Sequence, residues 1–194
     1  MAEPSAALPP RAVPDPGTLG VAVYDANCLF SKHGRYLLLA FAVHDIVLAR
    51  WSRRLLEETA ANLAGQLRGD SLEDLGRWLK TEAELVRDSL VENYDRWLDH
   101  VELPDLGDRH VVAAAIECGA TTIVTGNLRH FPDDRMAPLG ITAIDPDEFA
   151  LACIDANPVV GAGIVSDHPK PVEFLDRLAA SLPQAARHLS DLVR

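Results

Sequence analysis

The chain has little of what would staple, anchor or charge-coat a protein. Only three cysteines occur in 194 residues. Cys28, Cys118 and Cys153 are odd in number, widely spaced and set among apolar neighbours, so they read as small buried hydrophobes in a reducing compartment rather than a disulfide framework. No apolar run approaches the ~20 residues of a membrane helix, and Met1 to Pro16 lacks the apolar core of a secretory signal. The chain is therefore expected to be soluble and cytoplasmic, with no membrane partner. Lysine and arginine number 18 against 29 acids, a net charge of −11. That balance argues against non-specific wrapping of nucleic acid, which needs many cations to neutralise phosphates. It leaves room for a nuclease, because a cation held by carboxylates reverses the local field that a phosphate meets. No internal repeat, low-complexity tract or long basic run is present, and the seven histidines show no zinc-like spacing.

What is present is enough for one compact domain with appendages. Residues 1–18 form a Pro-rich, flexible tail, residues 19–154 the main domain, and residues 155–194 a helical extension too small for a core of its own. Asn157-Pro158 and Gly161-Ala162-Gly163 mark a flexible joint. Beyond it, Val172 to Leu182 and Gln184 to Val193 read as two short amphipathic helices divided at Pro183.

The most informative stretch runs from Gly107 to Asn127. Asp108 stands where a helix N-cap belongs, Gly119 where a left-handed residue ends the helix, and Thr121 to Thr125 is a short β-branched strand. The first strand, Val21 to Tyr24, likewise runs into a polar group, Asp25. Two parallel strands far apart in sequence thus deliver polar residues to one sheet edge, where open α/β sheets hold their ligands.

Between them, His33 to Val43 carries apolar residues at helical spacing, and Ile46 to Ala49 is a second strand or extended link. Ser52 caps a helix to about Gln66. Counting from Trp51, residues Leu55, Glu58 and Asn62 share one face, which puts Glu58 on a core-facing stripe. Glu57 falls on a solvated face, within reach of Arg53 and Arg54. Ser71 to Asp74 and Thr81 to Glu84 match capping boxes, with Leu85, Leu90, Tyr94, Trp97 and Leu98 as apolar contacts. Ile141 to Ile144 is a last short strand, and Asp145 caps another helix.

Asp25, Glu58 and Asp108 are therefore expected to meet, with Asn127 adding a neutral oxygen. Oxygen-rich sites of this kind suit Mg²⁺ or Mn²⁺, and the chemistry they support is metal-assisted hydrolysis of a phosphodiester. Asp105, Asn27, Thr125 and Asn62 are auxiliary candidates, and Arg109 and His110 are candidates for contact with substrate phosphate. Each acid alone has a plain structural reading. Asp25 or Asp108 could simply cap a helix, and His110 could be an exposed first-turn side chain.

The motifs Val23-Tyr24-Asp25-Ala26-Asn27, Arg50-Trp51-Ser52 with Glu58 and Asn62-Leu63, Asp108-Arg109-His110-Val111-Val112 and Val124-Thr125-Gly126-Asn127 with Phe131-Pro132 resemble the PIN-domain ribonucleases, more narrowly the VapC-like toxin branch. The resemblance implies an α/β fold, a three-layer αβα domain with a mainly parallel sheet, and a short helical C-terminal tail. It implies an Mg²⁺- or Mn²⁺-dependent endoribonuclease with Asp25, Glu58, Asp108 and Asn127 in the site. It also implies an RNA substrate and a separately encoded antitoxin, and leaves a homodimer open. Two departures stand out. The acidic turn reads Asp105-Leu106-Gly107-Asp108, one acid short, and His130 stands before Phe131 where such proteins often carry an acid. A non-catalytic PIN-like scaffold that binds RNA or protein is the competing reading. A haloacid-dehalogenase phosphatase would need an acid at Asn27, and a signal receiver would need a lysine beyond the late strand.

Overall fold

A computed structural model describes residues 19–66 and 85–194. The Pro-rich tail and both capping boxes expected at 71–74 and 81–84 lie outside the described residues. Five parallel strands form one sheet in the order β3-β2-β1-β4-β5: β1 Val21–Tyr24, β2 Leu48–Ser52, β3 Leu90–Val91, β4 Thr122–Val124 and β5 Thr142–Ile144. All four residues of β1 are buried, as a central strand covered on both faces requires. From β1 the chain builds outward to β2 and β3, then returns past β1 to β4 and β5. Right-handed crossovers running in opposite directions cover opposite faces, giving the three-layer PIN-like αβα arrangement.

Helix α1, Lys32–Val43, is capped by Ser31, whose Oγ accepts from Gly34 N at 3.2 Å. Its end explains why β2 starts later than the apolar run suggested. Asp45 takes the left-handed conformation, φ 56°, and Ile46 N donates back to Phe41 O at 3.0 Å while Asp45 N donates to Ala42 O at 3.1 Å. Ile46 is thus used in closing the helix, and pairing begins at Leu48. Helix α3, Arg109–Glu117, ends in the same manner at Gly119, φ 67°, with Ala120 N donating to Ala115 O at 2.8 Å. Leu90, expected among helical contacts, instead pairs with Trp51 as an edge strand of two residues.

Helix α2 is Arg53–Gln66, and α4 is a single turn at Asp133–Met136. Four helices follow β5: α5 Pro146–Ala156, α6 Pro158–Ser166, α7 Pro171–Leu178 and α8 Pro183–Leu192. Helix α5 runs through residues 154 and 155, where the sequence reading divided the chain. The expected flexible joint is helical. Asn157 Oδ1 accepts from Val160 N at 3.1 Å and Pro158 opens α6, while a Cβ on Gly161 would meet Leu189 and Ile154 at 3.3 and 3.4 Å. The glycine serves close helix packing rather than a hinge. Phe174, Leu178, Ala185 and Leu189 join the same core as Val23, Ile123 and Phe41, so the extension packs on the main body. No single helix among the described residues is long and apolar enough to cross a membrane; α5 and α6 reach that length only together, across a 108° bend.

Candidate active site

The strand order reverses between β1 and β4, and the first residues beyond these two strands are Asp25 and Thr125. Tyr24 pairs with Val124, so the two side chains emerge next to each other at the carboxyl edge. Thr125 Oγ1 donates to Asp25 Oδ2 at 2.7 Å. Asn27 Nδ2 also donates to Asp25 Oδ2, and to Thr125 Oγ1 at 3.1 Å, while Asn27 Oδ1 accepts from Gly126 N at 2.7 Å. Asn127 enters through its backbone, donating to Thr125 Oγ1 at 3.0 Å. Asp25 is only 5% exposed. Burial pushes its carboxyl pKa up against the Thr125 and Ala26 hydrogen bonds, and the charges of Asp108 and Glu58 push in the same direction as burial. The three acids therefore share one electrostatic neighbourhood.

Asp108 occupies the N-cap position of α3 but does not cap it with its side chain. Its backbone is already helical there, φ −88° and ψ −3°, which turns the carboxylate away from the N–H groups a cap would serve. The local cap is Asp105, whose Oδ1 accepts from Gly107 N at 2.8 Å. Asp108 Oδ2 instead lies 2.6 Å from His130 Nδ1, which reaches it from the loop after β4. Sequence spacing offered no signal for this contact, since the two residues are brought together only by the crossover into β4. The departure noted at His130 was the one available hint.

Glu58 is not on the buried stripe. Trp51 belongs to β2, so counting helical phase from it misplaces the face. The buried face of α2 is Leu55, Thr59 and Leu63, and Glu58 lies about 100° from its centre at 3.6 residues per turn. Its side chain is 37% exposed; Arg54 Nε donates to Glu58 Oε1 at 3.0 Å, and His110 Nε2 lies 3.3 Å from the same oxygen. Arg54 thus pairs with Glu58 rather than with Glu57, and its Nη2 also donates to Gly107 O at 3.3 Å, tying α2 to the acidic turn. Asn62 is exposed and donates back to Glu58 O at 2.9 Å, on its own helix.

His110 is buried, not an exposed first-turn side chain. Burial lowers its pKa and Arg54 adds to that, while Glu58 and Asp108 oppose. Its Nδ1 has no hydrogen-bond partner among the described residues. Arg109 points away from the acids: its Nη2 donates to Leu98 O and lies 3.7 Å from Asp99 Oδ1. In this structure His110 thus lies against Glu58, and Arg109 anchors the 94–100 segment.

Among the described residues, the ligand atoms lying within 4.8 Å of one another belong to Asp105, Asp108 and His130. Asp25 and Glu58 sit outside that tight group, each already engaged by its own donors. The donor set still suits a hard divalent cation: carboxylates from three segments, one of them buried and pushed toward its neutral form by burial and like charge. A cation there relieves the repulsion that the acids impose on one another.

Over 87 residues the chain is 45% identical to a curated Mycobacterium tuberculosis protein named "Putative ribonuclease VapC50". The chain resembles the VapC-like PIN-domain ribonucleases. The aligned part is 41% of this chain and 52% of that protein, so the chain spans about half the length of the curated relative it matches. No family model matches the chain, and no solved structure matches it significantly. The VapC-like resemblance and the parallel sheet agree with each other.

Proposed function

We propose that the chain is a divalent-metal-dependent endoribonuclease of the VapC toxin type, restrained by a separately encoded antitoxin. The observation that carries this reading is Asp25: a buried carboxylate at the strand switch point that feels the charges of Asp108 and Glu58. The name of the Mycobacterium tuberculosis relative supports the same activity. Asp25, Glu58 and Asp108 would hold Mg²⁺ or Mn²⁺, with Asn127 as a neutral neighbour and Asp105 in reserve. When bound, the cation supplies Lewis-acid stabilisation of phosphate charge and activates water for attack.

The chain's own residues prepare that site. Thr125 and Asn27 both donate to Oδ2 of Asp25, which fixes the plane of the carboxylate. His130 orients Asp108, and Arg54 with His110 orients Glu58. Such supporting contacts set how well ligand atoms converge. An antitoxin segment offering a basic side chain to these acids would satisfy the same charges and block substrate.

One observation favours the non-catalytic scaffold: Glu58 is engaged by Arg54 and His110 and stands outside the tight Asp105, Asp108 and His130 group. Incubating total RNA with the purified chain in Mg²⁺, in Mn²⁺ and in chelator, beside Asp25→Asn, separates the two. Metal-dependent cleavage lost in Asp25→Asn is the expected result. RNA retained intact under every condition leaves the scaffold.

A further inference from the structure

A groove of about 620 Å³ runs along α1 from Lys32 to His44, walled on its other side by the α6–α7 connection and the start of α7. It shares no residue with the acids. Its aromatic floor is a cluster. His168 stacks on Phe174 with ring centroids 4.7 Å apart, and Tyr36 stands edge-on to both, at 5.3 and 5.4 Å. Phe174 is buried, but Tyr36 is 45% exposed and presents its ring to the groove mouth.

The charge of this groove runs against that of the chain. Among the described residues that line it, Lys32, Arg35 and Lys170 face one carboxylate, Glu173, which pairs with Lys170 at 3.0 Å. The local field shows in His33, whose pKa is lowered by burial and then by Lys32, Arg177 and His168, with Glu173 opposing. On a protein of net charge −11, a cation-rich groove with exposed ring faces is suited to a flexible polyanion carrying flat bases. The groove also opens in the right place. One 3₁₀ turn, Ala26–Leu29, and the Ser31 cap separate Asp25 from Lys32, so the N-terminal end of α1 lies at the sheet edge that carries the acids.

We propose that the groove between α1 and α7 binds single-stranded RNA outside the scissile site, with Lys32 facing phosphates and Tyr36 and His168 stacking on bases. This rests on the nuclease reading above and adds a second contact region, built jointly by the main body and the C-terminal helices. Base stacking on an exposed aromatic tolerates any base, so the groove sets affinity and strand path rather than a sequence.

The test uses the full chain and a 5′-fluorescein-labelled single-stranded RNA 12-mer in chelator, followed by anisotropy, with melting curves as a check of folding. Lys32→Glu and Tyr36→Ala are expected to weaken binding about ten-fold each, a size set by one lost stacking or phosphate contact. If the Lys32→Glu, Tyr36→Ala double variant binds the RNA as tightly as the parent, the groove is not an RNA site. If a labelled polyglutamate 12-mer binds as tightly as the RNA and is equally sensitive to Lys32→Glu, the groove takes acidic peptides and the proposal falls. Cleavage is read separately on adding Mg²⁺ or Mn²⁺. No cleavage by the parent, with binding still dependent on Lys32 and Tyr36, sinks the nuclease reading while the RNA groove stands.

Discussion

His130 Nδ1 and Asp108 Oδ2 lie 2.6 Å apart, joining the loop after β4 to the turn that opens α3. The same loop holds Asp25 through Thr125. A single connection therefore positions two acids that come from separate segments of the main domain, one after β1 and one before α3. Its backbone is fixed in turn, with Thr125 N donating to Ile144 O at 2.9 Å and His130 N to Asn127 O at 2.8 Å.

His130→Ala is expected to lower metal-dependent cleavage about ten- to hundred-fold, the usual cost of losing a group that orients a ligand. Isothermal titration with Mn²⁺ should show the matching loss of affinity, with the melting temperature little changed. Unaltered metal affinity would show that the contact is incidental.

Glu58→Gln is expected to abolish cleavage, whereas Glu57→Gln leaves it within about two-fold, because Glu57 is exposed and an isolated surface charge contributes little. Glu57 is not the residue paired with Arg54. Equal losses in the two variants would show that a general charge effect, not a site, is being measured.

The C-terminal helices depend on one buried carboxylate. Asp147 accepts from Gln184 N and Ala185 N, each at 2.9 Å, and so caps α8 from another helix. No side chain on α8's own N-terminal residue does this. Asp147→Ala is expected to cost about 2–3 kcal/mol, the range for a buried charge-assisted cap. Urea melts of the two proteins measure it, and a change below about 0.5 kcal/mol would mean that the cap is replaced by water.

Much of the architecture was legible because it is written in local chemistry. The apolar run Val21 to Tyr24, the β-branched Thr121 to Thr125 and the turn at Gly119 each carry their own signal, and all three recur in the structure. What failed was phase and partner. The face of α2 could not be counted from Trp51, which is extended. The joint at Gly161 and Gly163 is a helix because Asn157, Pro158 and the packing of Gly161 against Leu189 outweigh glycine's low propensity. In the candidate site, the meeting of Asp25 with Thr125 follows from strand order. The roles of Arg54, His110 and His130 arise from tertiary contacts that no spacing encodes.

The thiols give a pH test. Burial raises the pKa of all three cysteines, and that of Cys118 to about 11. A folded pKa above the unfolded one means a stability contribution that is complete below the ordinary value of 9.0 and lost as pH rises through about 11. Cys118→Ala should therefore soften the loss of melting temperature between pH 9 and 11. In native protein at pH 8, a thiol-reactive dye should titrate almost no thiol, against three in denaturant. Rapid native labelling would contradict the burial.

The crowded acids give the last expectation. The pKa of Asp25 is raised by burial and by the charges of Asp108 and Glu58, so its ionisation is less favourable in the folded chain than in the unfolded one. Asp25→Asn keeps an oxygen that can accept from Thr125 Oγ1 while removing the charge. In chelator the variant should melt higher than the parent. Adding millimolar Mg²⁺ or Mn²⁺ should then reverse the order, because a cation that binds only the folded state stabilises the parent by mass action and finds fewer charges in the variant. The crossing of the two melting temperatures is the diagnostic. A helix-capping or purely structural Asp25 would give a variant that melts lower in chelator, with no metal-dependent shift in either protein.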